Sequence, residues 1–200
     1  GGSFMSTAAS NWEMVITKQK GKITLSLRGP ETKVSPAPIP EDAEFFGIIF
    51  RHGTFMPNLP GSKLVDHEIH LPETVKNSFQ LFGETWEFPN SENVDVFVKR
   101  LIRNDLLAHD QVVGDVLRGK TQDLSLRSVQ RRFVQVTGLT YKTIQQIERA
   151  KQATALLQSG VPISETTYQA GYFDQAHLTN SLRRFYGQTP AQIIQSDDSA

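Results

Sequence analysis

The stretch TYKTIQQIERAKQATALLQS, Thr140–Ser159, decides how the rest of this chain is read. Ile144, Ile147, Ala150, Ala153 or Thr154, and Leu157 recur at helical intervals, so the periodicity predicts one long helix with a buried stripe. Gly160 stops it, and a similar short unit lies on each side. Upstream, Ser125 is a good N-cap for a helix Leu126–Val136, with Leu126, Val129 and Phe133 expected inside and Gly138 as a left-handed terminator. Downstream, Asp174 is expected to cap a second helix that turns Leu178, Leu182 and Phe185 or Tyr186 inward, with Tyr172 and Phe173 as apolar anchors before the cap. Shorter helices, His109–Arg118 and Ile163–Gln169, precede them across the breaks Gly119–Asp123 and Gly171. The pattern is helix–turn–helix, twice.

A helix of about 20 residues is about 30 Å long, close to the ~34 Å repeat of B-DNA. Such a spacer would present two recognition helices to successive major-groove segments, and a single chain would then read an asymmetric site. With the apolar residues inward, Arg127, Gln130 and Arg131 face out from the first unit, and Gln175, Ala176, His177 and Asn180 from the second. Arginine to guanine and glutamine to adenine are the usual base-edge pairings. Arg132, Thr179, Arg183 and Arg184 are placed to meet phosphates. Exposed arginine pairs on helices are commonplace, but here they recur in two equivalent places, each beside an apolar triplet and before a glycine.

These residues carry a resemblance. Ser125-Leu126-Arg127-Ser128-Val129-Gln130-Arg131-Arg132-Phe133, Thr137-Gly138-Leu139-Thr140, Ala170-Gly171-Tyr172-Phe173-Asp174-Gln175-Ala176-His177-Leu178 and Phe185-Tyr186-Gly187-Gln188-Thr189-Pro190 are similar, in order and spacing, to the AraC/XylS-type DNA-binding domain. The resemblance covers roughly His109–Gln195. It implies seven helices with two helix–turn–helix units joined by a long one, in a transcription regulator, often an activator, that binds double-stranded promoter DNA. A sensor or dimerisation domain in front, a small-molecule effector, a homodimer and contact with RNA polymerase are further implications. The chain departs from the pattern in the longer turn Gly119–Leu124, in Tyr141 where proline is frequent, and in Asn180 where some members carry arginine.

Composition is compatible with this. The net charge of zero hides an uneven distribution: Gly1–Asn90 holds 8 Lys+Arg against 10 Asp+Glu, Lys120–Pro190 holds 9 against 4. The later segment is modestly basic, as a phosphate-binding surface would be. There is no cysteine, which removes disulfides, thiolate nucleophiles and zinc-finger ligand sets. No apolar run approaches the ~18 residues of a membrane span, and no leader follows Met5. A cytoplasmic protein of two domains is expected, with no cofactor. Gly1–Phe4 reads as the remnant of a tag.

The fold class expected is α+β, with a small β-rich region over 6–90, a connecting amphipathic helix over 91–108, and an all-helical double helix–turn–helix domain over 109–195. Trp12–Thr17 and Lys22–Arg28, with Gly21 between them, read as a hairpin or two adjacent strands. Gly29–Pro40, with four prolines, reads as a loop. Phe45–Arg51 reads as a buried strand and Leu64–Leu71 as another, while Phe79–Phe88 is open between helix and strand. The region is short for the family's cupin-like sensor barrel, and its length admits a reduced one. Ser91 is expected to cap the connecting helix, whose stripe is Val94, Phe97, Val98, Leu101, Ile102 and Leu106.

Two motifs compete. Gly114-Asp115-Val116-Leu117-Arg118-Gly119-Lys120-Thr121 fits the P-loop pattern, an alternative reading as a nucleotide-binding protein. A phosphate cradle needs a buried strand before it and a helix starting at the lysine, whereas a polar start leads here into a helical stretch. His67 and His70 invite a metal reading, but three-residue spacing on a strand sends the rings to opposite faces. No catalytic set has local support, so no enzyme activity is expected. A helical protein-interaction module is the remaining alternative.

Overall fold

The computed structural model describes residues 2–74 and 77–197. In chain order the first elements are β1 (Gly2–Ser6), β2 (Glu13–Gln19), β3 (Lys22–Arg28), β4 (Ser35–Ile39), β5 (Ala43–Ile49) and β6 (Thr54–Phe55). After a short 3-10 turn at Gly61–Lys63 come β7 (Glu68–His70), β8 (Glu73–Thr74), β9 (Ser78–Leu81) and β10 (Glu84–Glu87). The rest is α1 (Val94–Arg103), β11 (Ala108–His109), α2 (Gln111–Leu117), α3 (Leu126–Thr137), α4 (Tyr141–Gln158), α5 (Ile163–Gln169), α6 (Gln175–Tyr186) and α7 (Pro190–Asp197). The architecture is α+β, and the strands form four short sheets without closing into a barrel, so no cupin-like barrel is present among the described residues.

The chain divides into two compact units. One holds 11–30 and 40–140; the other holds 2–10, 31–39 and the chain from Tyr141 on.

The first unit is built on an antiparallel sheet of order β5-β2-β3-β7. Met14 faces Leu27 on one side and Ile48 on the other, and alternation sends Met14, Ile16, Leu25 and Leu27 into one core. The β2–β3 turn takes positive φ at Lys20 and Gly21, 49° and 77°, as a tight hairpin requires. β5 is an edge rather than a buried strand: Phe45 and Ile49 are exposed while Phe46 and Ile48 pack on the core. Only Glu68–His70 of the expected Leu64–Leu71 strand is extended. The ambiguous aromatic stretch is a second hairpin, β9–β10, turning at Phe82-Gly83 with φ of 48° and 85°.

Its aromatics draw α1 onto the core. The Trp86 ring meets Phe97 edge-on at 5.7 Å, and the Arg100 guanidinium lies 4.1 Å over the same indole. Phe97 and Leu101 are buried, but Ile102 is 52% exposed and falls outside the stripe. Ser91 does not cap this helix. Asn90 does the local work, its Oδ1 accepting the N–H groups of Glu92 and Asn93.

In the second unit β1 pairs with β4, Phe4 opposite Ala37. Gly2–Phe4 of the expected tag and part of the expected Gly29–Pro40 loop are therefore a two-stranded ribbon, and Gly1 lies outside the described residues. Pro36 and Pro38 are two apart, so their missing N–H groups fall on one edge and leave the other edge able to pair. α4 buries Ile144, Ile147, Ala150, Ala153, Thr154 and Leu157 along one side, against α6 and α7. Thr189 and Gln192 start α7 with a reciprocal cap: the Thr189 N–H donates to Gln192 Oε1 at 2.8 Å, and the Gln192 N–H to Thr189 Oγ1 at 3.3 Å.

Candidate nucleic-acid interface

In the first unit α2 starts at Asp110, whose Oδ1 accepts the Val113 N–H at 3.1 Å. α3 starts at Ser125, whose Oγ accepts the Ser128 N–H at 3.2 Å, and ends at Gly138 with φ of 75°. Phe133, Val136 and Thr137 are buried. Leu126, expected inside, is 73% exposed. The packing gathers at the other end of the helix: a Cβ on Gly61 would lie 2.7 Å from the Gly138 nitrogen, and one on Gly138 2.5 Å from the Val65 side chain. The first turn of α3 projects from that anchored end.

Arg127, Gln130, Arg131, Val134 and Gln135 are exposed. Arg127, Arg131 and Val134 follow helical spacing and share a face. Among the described residues neither Arg127 nor Arg131 has an ion-pair partner. Arg132 is different. Its Nη1 donates to Asp110 Oδ2 at 2.7 Å, so the residue expected at a phosphate ties α3 to the cap of α2.

The P-loop-like stretch forms no cradle. Gly114–Leu117 lies inside α2, and no strand leads into it directly at Gly114. The Lys120 ammonium sits 3.2 Å from Asp115. Asp115 also accepts from Gln111 and Arg118, and these hydrogen bonds, Gln111 foremost, hold its carboxyl down to about 2. His67 and His70 are turned to other partners: His67 Nδ1 lies 2.6 Å from the Val65 carbonyl and His70 Nδ1 2.7 Å from Ser26 Oγ.

In the second unit Gly171, with φ of 71°, turns the chain between α5 and α6. Tyr172 is the anchor beside it: the ring is buried, its hydroxyl lies 2.9 Å from Ser181 Oγ, and the His177 ring stands edge-on to it at 5.1 Å. The Arg149 guanidinium is 5.7 Å from the same ring. Burial pushes the Tyr172 hydroxyl above its ordinary value of 10. Phe173, expected as a second anchor, is 92% exposed.

Asp174 caps α6, Oδ1 accepting the His177 N–H at 2.7 Å. Leu178, Leu182 and Phe185 are buried. Gln175, Ala176, His177, Asn180, Arg183 and Arg184 are exposed, and Thr179 is half-buried. Two carbonyls at the far end of α6 are satisfied by the ribbon segments: Arg184 accepts the Val34 N–H at 3.0 Å and Phe185 the Ala8 N–H at 2.8 Å. The helix is thus fixed at both ends with its polar face free. Phe173 is expected to be covered and Val134 carries no expectation; both are exposed, though an apolar residue beside a helical stripe reads as core.

Among the described residues no helix is long and apolar enough to cross a membrane. Residues 120–196 match the model of a helix-turn-helix domain family. Proteins named HTH-type transcriptional regulator VirS, from Mycobacterium tuberculosis strains CDC 1551 / Oshkosh and ATCC 25618 / H37Rv, are each 28% identical to the chain over 134 residues. That alignment takes in 64% of this chain and 39% of each relative, so the chain spans about two fifths of the length of the curated relatives it matches. No solved structure matches. The helical segment over residues 120–196 is thus similar to a helix-turn-helix domain.

Proposed function

We propose that this chain is a sequence-specific transcription regulator that lays α3 and α6 into successive major-groove segments of a promoter. The observation that carries the reading is the pair of capped helices, each with a buried apolar side and an exposed polar side. Arg127, Gln130 and Arg131 on α3, and Gln175, His177 and Asn180 on α6, are the base-reading residues of this proposal. Thr179, Arg183 and Arg184 position the backbone. Arg132 acts through Asp110, setting the stance of α3.

α4 is an unbroken 18-residue helix, about 27 Å long. The regulators named above support the class. Selection of bound fragments from random duplex DNA tests it. An asymmetric site with two conserved blocks about one helical turn apart is expected, with affinity falling steeply as salt rises. A pool that enriches nothing ends the proposal. Affinity for a protein partner that is insensitive to salt, with none for DNA, would instead mark a helical interaction module.

A further inference from the structure

Phe173 stands immediately before the cap of α6, where an apolar residue ordinarily folds back onto the fourth helical residue and fixes the entry of the chain. That contact is not made: Phe173 is 92% exposed while Leu178, the residue it would cover, is fully buried by others. Tyr172 already fills the anchoring place, held by Ser181, His177 and Arg149. The fold therefore leaves an aromatic ring in water at the N-terminal end of the recognition helix, beside exposed Gln175, Ala176 and His177.

The N-terminal residues of such a helix are the ones that reach base edges. In the major groove the apolar mark is the thymine C5-methyl, which apolar side chains contact. We propose that the Phe173 ring packs on a thymine methyl in the block of the site bound by α6, making it a specificity-determining residue. Gln175 and His177 supply hydrogen bonds to the neighbouring bases, and the ring excludes water from them. This rests on the DNA-binding reading above.

The test uses the full chain and a duplex it has itself selected from random DNA. Each thymine of the α6 block is replaced in turn by deoxyuridine, which removes the methyl and leaves every hydrogen-bonding group. One position is expected at which the replacement weakens the parent about 5- to 10-fold. Phe173→Ala should bind the thymine duplex weaker by a similar factor and be indifferent to that replacement. The inference is overturned if Phe173→Ala binds as the parent does, or if parent and variant respond alike to uracil at every position, as they would were the ring a docking point for a protein. A pool with no enriched sequence sinks the DNA-binding reading itself, a different result from an enriched site that ignores Phe173.

Discussion

Arg132 Nη1 donates to Asp110 Oδ2 at 2.7 Å while Asp110 Oδ1 accepts the Val113 N–H, so one carboxylate caps α2 and holds α3. The Asp110 side chain is 10% exposed and that of Arg132 46%. The ion pair is therefore screened and contributes about 0–1 kcal/mol, whereas the cap contributes about 1 kcal/mol. Asp110→Ala should lose both, about 1–2 kcal/mol in a urea titration. Asp110→Asn keeps a capping oxygen and should lose less than half as much. Equal losses in the two variants would mean that the ion pair, not the cap, dominates.

Gly138 ends α3 at a φ of 75°, and a Cβ there would meet the Val65 side chain at 2.5 Å and the Gly61 carbonyl oxygen at 2.6 Å. The left-handed conformation alone costs a residue with a Cβ about 1 kcal/mol, and the backbone oxygen cannot move aside cheaply. Gly138→Ala should destabilise the first unit by about 2 kcal/mol or more. Gly119→Ala is the control: φ there is 76° but nothing lies within 4 Å, so about 1 kcal/mol is expected. Similar melting shifts for the two would show that crowding at Gly138 has no weight.

The helical half was legible because its signals are local. Ser125, Asp174, Gly138 and Gly187 act within one turn of their own positions, and the Ile144–Leu157 stripe reports burial by its period alone. The β half depends on pairing between distant segments. Nothing near Pro36 and Pro38 announces that residues 2–6 will lie alongside them, and Phe45 and Ile49 look like core until β5 is seen to be an edge. Leu126 and Phe173 failed for the opposite reason: period and type place them inside, but the packing that would cover them is not there. The outward direction of Arg127, Gln130, Arg131, Gln175 and Asn180 followed from where Phe133, Leu178 and Leu182 must go. That Arg132 would find Asp110 did not, because 22 residues separate them.

Tyr172 and Tyr186, both in the second unit, have hydroxyls raised above the ordinary value of 10, in each case foremost by burial. A folded-state value above the unfolded one stabilises fully below the unfolded value and is lost as pH rises through the folded one. The second unit should therefore keep its stability up to about pH 10, then lose it in the interval above as the unfolded tyrosines ionise first. Tyr172→Phe removes one ionising group and the Ser181 hydrogen bond. It should lower stability at pH 8 and make the decline above pH 10 shallower. A decline of unchanged steepness in Tyr172→Phe would assign the alkaline loss to other groups.

Arg131 and Arg183 are both exposed arginines on recognition helices, yet different tasks are expected of them. Arg131 follows Arg127 by four residues on the outward face of α3, where a guanidinium can reach two acceptors on a guanine. Arg183 lies in the last turn of α6, away from the N-terminal end that the proposed docking puts in a groove. Arg131→Ala should cost about 1–3 kcal/mol on the selected site and relax preference at one base position. Its salt slope should barely change, since a base contact releases no counterion. Arg183→Ala should weaken selected and scrambled duplexes alike and flatten the slope of log affinity against log salt by about 0.9. The pattern across both axes is what separates the roles. If Arg131→Ala binds selected and scrambled duplexes just as the parent does, α3 does not read bases through that residue. If instead Arg131→Ala flattens the slope and Arg183→Ala relaxes one base position, the two helices meet DNA with their faces exchanged.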